Sequence, residues 1–303
     1  MPGAGLLDTL LARCSFPERG AAVACGVSGG ADSLALLALA RAAGCDVTAL
    51  HVDHGLRPGS DREAQVVASA AERFGAAWRS VRVLVEPGPN LEARARAVRR
   101  AALPPDVLLG HTADDQAETV LLNLLRGAGL DGLSGFRPQQ HPIRRLRRAE
   151  THALCAELGL APVHDPSNAD PRHRRNRVRH DLLPLLDAVA ERDVAAVLAR
   201  QADVLRDDAE LLDLLASALD PTDAKALALA PEPLARRAVR TWLRSGAELH
   251  PPDAAAVARV LRVARGEARA CDVGGGLEVR RQRGVLRLVS ASVAPRLPCG
   301  DGG

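Results

Sequence analysis

The chain has 303 residues, of which 47% are hydrophobic and 25% charged, and its formal net charge at pH 7 is +3. This composition excludes a disordered chain and predicts two globular domains with cores of their own. Six scattered cysteines without a Cys-x-x-Cys pair predict neither a zinc site nor a redox motif, and neither a signal peptide nor an apolar membrane span is evident. We therefore expect a cytoplasmic protein with no membrane partner.

Apolar runs alternate with helical patterns through the first half of the chain. The predicted strands are residues 22–27, 47–52, 78–85 and 107–110. This alternation is typical of parallel strands joined by crossover helices, so the predicted fold class is α/β with a doubly wound, Rossmann-like parallel sheet. Ligands of such sheets bind beyond the carboxyl ends of the strands. The candidate site therefore comprises residues 28–33, 53–57 and the stretch from 111 onward.

The second half of the chain differs from the first in residue composition and spacing. From about Leu182, alanine, leucine, arginine and aspartate recur at helical spacing, and two short alternating runs then flank Gly284 as in a hairpin. We predict a first domain of residues 1–187. A smaller, mostly helical second domain of residues 188–303 would end in the hairpin.

Residues 28–33, Ser-Gly-Gly-Ala-Asp-Ser, directly follow the first predicted strand. Glycines at a helix start let phosphate oxygens approach free backbone amides. An ordinary strand-to-helix turn would also use glycine and serine, but Ser28, Asp32 and Ser33 together favour a phosphate site. The Walker A loop is excluded, because no lysine follows a second glycine at the required spacing.

Two further stretches at strand ends carry histidines and acids. His51 and His54 could form a metal pair, although a structural loop is the stronger interpretation. In the second stretch, Thr112 and Asp115 have the spacing of a capping box, whereas His111, Asp115 and Glu118 also share one face of a predicted helix. Two acids facing a nucleotide would repel its phosphates unless a cation lay between them.

A basic stretch runs from residue 137 to residue 181. It contains ten arginines and five acids, a local charge of +5, which leaves −2 for the rest of the chain. Such concentration is the electrostatic footprint of a nucleic-acid surface, although a solvated charged loop explains the charge equally well.

These motifs carry a family resemblance. Residues 28–33 resemble the PP-loop of the ATP-pyrophosphatases, which cleave ATP to AMP and pyrophosphate, and residues 51–57, 110–135, 165–168 and 175–180 narrow the resemblance to the tRNA(Ile)-lysidine synthases. The resemblance implies Mg²⁺ placed by Asp32, a phosphate contact from Arg96 and free lysine bound by Asp115 and Glu118. It also implies two larger sets: an ATP site of Ser28, Gly29, Gly30, Ala31, Asp32, Ser33 and His111, and a tRNA site of Arg172, Arg174, Arg175, Arg177 and Arg179.

The implied reaction joins lysine to C2 of the wobble cytidine in an isoleucine tRNA with a CAU anticodon, through an adenylated intermediate. Asp32, Arg96 and Asp115 would be its catalytic residues, and residues 188–303 would contact the tRNA. The chain departs from the family pattern at Arg100, where tyrosine is usual, and at His141-Pro-Ile-Arg144. A cluster-dependent tRNA thiolation enzyme and a non-enzymatic tRNA-binding protein are the alternatives, and a homodimer stays open.

Overall fold

The computed structural model describes residues 5–53, 60–83, 94, 98, 101–163, 170–245 and 252–290. Its contacts group into two compact units, Met1–Arg206 and Asp207–Gly303. The predicted domain boundary at residue 187 precedes this division and stays a prediction.

The first unit contains a parallel sheet of four strands, β1 (Ala22–Gly26), β2 (Asp46–Asp53), β3 (Ala77–Arg82) and β4 (Leu108–Leu109), in the order β3-β2-β1-β4. The predicted α/β fold class is confirmed. Gly26 at the end of β1 is paired with Leu50 on one side and Leu109 on the other. The residues that follow β1, β2 and β4 therefore leave the sheet at the same edge, as expected for the candidate site.

Helices surround this sheet, and one of them lies in the main core. The helix Ala31–Ala42, here called the loop helix, follows the glycine loop, and its leucines are fully buried. Alanine and leucine favour helix, and a helix that is apolar on all sides is stable only inside a core. Further helices among the described residues are Leu6–Leu11, Ser60–Arg73, Ala113–Leu125, Leu130–Leu133, Arg148–Glu157, Arg174–Arg177, Leu183–Ala190 and Val194–Ser217, with a 3₁₀ turn at Pro138–Gln140 and a π-helical turn at Val178–Leu182.

The second unit has its own core and its own sheet. Helices Ala224–Leu229, Glu232–Ser245 and Ala254–Arg265 pack with the antiparallel strands β5 (Ala270–Gly274), β6 (Leu277–Gln282) and β7 (Val285–Ser290). The predicted hairpin is present as β6 and β7, and its turn holds Arg283 and Gly284 at positive φ, as hairpin turns favour. No helix within the described ranges is long and apolar enough to cross a membrane.

Candidate active site

The glycine loop leaves β1 and turns back into the loop helix. Gly29 has a φ of +84°, which favours glycine, and its carbonyl accepts a hydrogen bond from the Val163 amide at 2.9 Å. Ser33 Oγ accepts from the Ser28 amide at 3.1 Å and donates to the Gly30 carbonyl at 2.8 Å. Because Gly30 is the N-cap and no side chain caps the helix, this end of the helix suits an anion.

Gly110, at the end of β4, holds the loop helix close to the sheet. A Cβ atom at this position would lie 2.7 Å from the Asp32 carbonyl oxygen and 3.0 Å from the Ser33 Cα. Both neighbours are backbone atoms, so only glycine allows this approach. Sequence reasoning did not single out Gly110, although its place as the last residue of a predicted strand was a usable signal.

His51 lies at the end of β2 beside the loop. It is buried, and its Nδ1 donates to the Val27 carbonyl at 3.0 Å, so the histidine ties the end of β2 to the end of β1. Its Nε2 is buried without a hydrogen-bond partner among the described residues. The structural interpretation of His51 is thus supported, while His54 lies outside the described residues.

The helix Ala113–Leu125, here called the acid helix, carries the two candidate lysine ligands. Thr112 and Asp115 form the capping box, in which Asp115 Oδ2 accepts from the Thr112 amide at 2.9 Å and from its hydroxyl at 3.0 Å. The other oxygen, Oδ1, faces Arg148 at 2.9 Å and Arg175 at 3.0 Å. Asp115 therefore caps the helix with one oxygen and offers the second one to cations.

Three arginines surround Asp115 and Glu118, a pair that we call the acid pair. Glu118 is fully buried, and its oxygens lie 2.5 Å from Arg175 Nε, 2.6 Å from Arg179 Nε and 3.3 Å from Arg148 Nη1. Burial raises the pKa of Asp115, but the Arg148 and Arg175 guanidiniums outweigh it and hold that pKa below its usual range. Asp115 is thus ionised, and both acids are already paired with guanidiniums.

Arg148 connects the acid pair to the glycine loop. Its Nε lies 3.6 Å from Asp32 Oδ2, and Thr151, one helical turn further on, donates its hydroxyl to the same carboxylate. Burial raises the pKa of Asp32, and the charge of Asp115 raises it further, although Thr151 and Arg148 oppose that shift. Asp32, the predicted Mg²⁺ ligand, and the acid pair, the predicted lysine ligands, therefore all contact the Arg148 guanidinium. The sequence reasoning missed this connection.

A histidine pair stands where the acid helix begins. Nδ1 of His111 lies 3.0 Å from Nδ1 of His141, and the His111 ring stacks on Phe136 with centroids 4.6 Å apart. Burial lowers the pKa of His141 to about 3, and the neighbouring His111 contributes to the shift, so His141 is neutral. His141 is one of the departures from the family pattern, and it contacts a predicted ATP ligand directly.

The arginines predicted to bind tRNA divide into two groups. Arg172, Arg174 and Arg177 are exposed, and Arg172 pairs with Asp170 at 2.6 Å. Arg175 and Arg179 instead point inward onto the acid pair. They are four residues apart, across the junction of the short helix Arg174–Arg177 and the following π-helical turn, and therefore share a face.

The remaining arginines to be placed are Arg144, Arg96, Arg100 and Arg94. Arg144 is buried and forms an ion pair with Asp203 at 2.5 Å, so this departure has a partner on the helix Val194–Ser217. Arg96 and Arg100 lie outside the described residues. Arg94, which is described, has its Nε and one Nη buried without a hydrogen-bond partner among the described residues.

Comparison with protein families gives two matches along the chain. Residues 7–186 match a family described as "PP-loop domain", and residues 223–287 match a family described as "TilS substrate binding domain". The first match covers more than half of the chain and includes the glycine loop, the acid helix and the arginines 172–179.

Three relatives of this chain are tRNA(Ile)-lysidine synthases. The chain is 43% identical over 304 residues to the tRNA(Ile)-lysidine synthase of Nocardia farcinica, covering 92% of this chain and 95% of that protein. It is 42% identical over 290 residues to the Rhodococcus jostii enzyme of the same name, with 88% and 89% covered. For the Mycobacterium tuberculosis H37Rv enzyme the identity is 43% over 241 residues, with 73% and 74% covered.

A solved structure shares the fold. The U34-tRNA thiolase NcsA from Methanococcus maripaludis, a protein with a 4Fe-4S cluster, superposes with a TM-score of 0.53 at 18% identity, covering 66% of this chain and 78% of that one. At this identity the likeness concerns architecture alone.

Proposed function

The chain belongs to the tRNA(Ile)-lysidine synthase family, and from this premise we propose that it joins lysine to C2 of the wobble cytidine in a CAU-anticodon isoleucine tRNA. The cytidine O2 attacks the α-phosphorus of ATP, and pyrophosphate leaves. The lysine side-chain amine then attacks C2, and AMP leaves with the former O2. We place this reaction in the cytoplasm.

The glycine loop and the uncapped start of the loop helix would hold the ATP phosphates. Their backbone amides stabilise negative charge that develops on the phosphates, and this requires no reorganisation because Gly29 and Ser33 fix the loop. His51 Nε2, a buried acceptor at the same sheet edge, is available to a nucleotide N–H or O–H group. Arg96 is proposed as a further phosphate contact from its family position.

Asp32 fits Mg²⁺. Burial and the charge of Asp115 both raise the pKa of Asp32, and a neighbouring cation would offset both effects. Mg²⁺ is usually bound by one or two carboxylates together with substrate phosphates and water. No group of three His, Cys, Asp or Glu side chains in the described part of the chain could hold a metal ion by itself. When bound, Mg²⁺ would neutralise phosphate charge beside the loop, while Arg148 and Thr151 keep Asp32 oriented.

The acid pair would receive the lysine. A free amino acid with two ammonium groups needs carboxylates that stay ionised, and the guanidiniums that lower the pKa of Asp115 ensure this. The Arg148 guanidinium contacts both Asp32 and the acid pair, so the lysine side-chain amine would lie next to the adenylated cytidine.

The exposed arginines Arg172, Arg174 and Arg177 would contact tRNA phosphates, with the family's substrate-binding region at residues 223–287 as a second contact. The chain has few aromatic residues, which argues against base stacking as the main source of affinity.

One observation carries the proposal: Arg148 joins the loop carboxylate and the acid pair into one cluster at the edge of the sheet. The test is Asp32→Ala, with Asp46→Ala as the matched control, because Asp46 is an exposed acid at the opposite end of the strands. We expect Asp32→Ala to abolish AMP formation with tRNA while the melting curve stays cooperative. The control should retain AMP formation, and normal AMP formation by Asp32→Ala would refute the assignment.

A further inference from the structure

Three aromatic rings meet where the acid helix begins. The rings of His111, Phe136 and His141 have centroids 4.6 to 4.8 Å apart in every pairing, and the His111 ring is inclined by only 20° to that of Phe136. The chain has only three phenylalanines and no tyrosine, and one of these few aromatic side chains is placed here. The three rings restrict each other's orientation beside the predicted ATP site.

Phe136 and His141 are each fixed by backbone hydrogen bonds. The Phe136 amide donates to Oε1 of Gln116, a fully buried residue of the acid helix, at 2.8 Å. The His141 amide donates to the Pro138 carbonyl at 3.1 Å, and the residue is buried with 6% of its surface exposed. His111 therefore packs against two side chains that have little freedom to move.

The contact between the two histidines contains one proton. Nδ1 of His111 lies 3.0 Å from Nδ1 of His141, so one of these nitrogens donates and the other accepts. The neutral His141 ring has a single N–H group, and it also forms a hydrogen bond with the Leu109 backbone, whose carbonyl can only accept. With that N–H on Nε2, Nδ1 of His141 is the acceptor, and the proton between the rings belongs to His111.

We propose that His141 is a positioning residue, which holds His111 in the tautomer with its proton on Nδ1 and leaves His111 Nε2 as an acceptor for a hydrogen-bond donor of a substrate. The hydrogen bond at one ring nitrogen decides where the proton of a neutral histidine resides, and free histidine prefers the other tautomer, so the protein has to impose this one.

The inference rests on the proposed lysine ligation and adds the chemistry of one contact to it. His111 belongs to the predicted ATP site, and it directly precedes Thr112, which is hydrogen-bonded to Asp115 of the predicted lysine site. The donor that meets Nε2 is therefore an N–H or O–H group of the nucleoside or the ammonium group of lysine.

The tautomer is read by NMR of the full chain labelled with nitrogen-15 at histidine, without ATP or tRNA and at mildly alkaline pH, where imidazoles are neutral. The protonated and the bare ring nitrogen differ strongly in chemical shift, and the His111 signals are identified by their loss in His111→Gln. We expect the parent protein to have the His111 proton on Nδ1. His141→Leu removes the acceptor and should move this proton to Nε2. His141→Asn is the matched control, because it has nearly the same shape as His141→Leu but keeps an oxygen near the place of Nδ1, and it should retain the parental tautomer.

Steady-state kinetics identify the substrate group. For His141→Leu we expect the KM of ATP or of lysine to rise roughly three- to tenfold, the effect of one neutral hydrogen bond, while the other KM stays parental. A rise in the ATP KM places the donor on the nucleoside, and a rise in the lysine KM places it on the ammonium group. His141→Asn should keep both KM values near those of the parent.

Three results would overturn the proposal. The first is a His111 proton on Nε2 in the parent protein, and the second is a parental tautomer in His141→Leu. The third is an equal loss in His141→Leu and His141→Asn, which would show that His141 acts by packing alone. If His141→Leu does not fold, His141→Gln decides, because its amide lies near the place of Nε2 and leaves no acceptor at Nδ1. Failure of the proposed function looks different, since no lysine would then enter the tRNA while the NMR result would stand.

Discussion

Asp115→Asn separates the two roles that the structure gives to this residue. Asparagine keeps one oxygen that can accept from the Thr112 amide, as Asp115 Oδ2 does at 2.9 Å. It replaces Oδ1, which faces Arg148 at 2.9 Å and Arg175 at 3.0 Å, by a neutral group. The cap is therefore largely retained and the charge is lost.

The expected magnitudes follow from these contacts. A charge-assisted hydrogen bond to a partly buried ammonium contributes about 1.5–3 kcal/mol, so the lysine KM should rise roughly ten- to hundredfold. Stability should also fall by about 1–3 kcal/mol, because the guanidiniums lose one of their carboxylate partners. Adenylation should persist, since the proposed nucleotide site is at the glycine loop, on the other side of Arg148.

The assay follows AMP formation and lysine incorporation separately at saturating tRNA, which removes any dependence of lysine binding on tRNA concentration. Glu118→Gln is the companion variant, because Glu118 plays no part in the cap and its ion pairs are with the same arginines. We expect both variants to raise the lysine KM. If Asp115→Asn shows the parental KM and only a lower melting temperature, then Asp115 is a helix cap and the lysine assignment is refuted.

Three further predictions concern other parts of the site. Gly110→Ala should raise the ATP KM and lower stability by about 1–3 kcal/mol, because its Cβ would meet loop-helix backbone at 2.7 Å, whereas Gly129→Ala, which meets nothing within 4 Å, should do neither. Arg174→Glu should weaken tRNA binding and flatten its dependence on salt, as measured by filter binding, whereas Arg79→Glu on the exposed strand β3 should not. Burial lowers the pKa of His141 from 6.5 to about 3, so as the pH falls through this range the unfolded chain takes up a proton that the folded chain does not, and the protein loses stability. His141→Gln should therefore lose less melting temperature than the parent between pH 6.5 and pH 3. An equal loss in both proteins would contradict the burial argument.

The sheet and the glycine loop could be predicted from sequence because their signals are local. Strands β1 and β2 are short, mostly apolar runs, and the loop residues follow β1 directly. Strand β5, Ala-Cys-Asp-Val-Gly, was missed because it has no alternating pattern and is formed by pairing with β6. The register of an edge strand of this kind depends on its partner rather than on its own residues.

The contacts of Arg148 and His141 could not be predicted, because each joins residues about 30 or more positions apart. Arg148 reaches Asp115 and Glu118 across a separation that no motif spans, and in the sequence it is one arginine among the ten of the basic stretch. A signal did exist for Arg175 and Arg179, since a spacing of four places both on one helical face. Local charge alone could not show that this face turns inward.

The acid pair shows why the capping and binding interpretations of Asp115 are compatible. A carboxylate has two oxygens, and the helix start uses one of them, which fixes the direction of the other. A fixed, ionised carboxylate in a buried site needs a positive partner at every stage. When the site is empty, only the protein can supply that charge, and the guanidiniums that do so have the geometry that also binds phosphate. Arg148, Arg175 and Arg179 supply that charge, so the helix cap of Asp115 and its ion pairs belong to one arrangement.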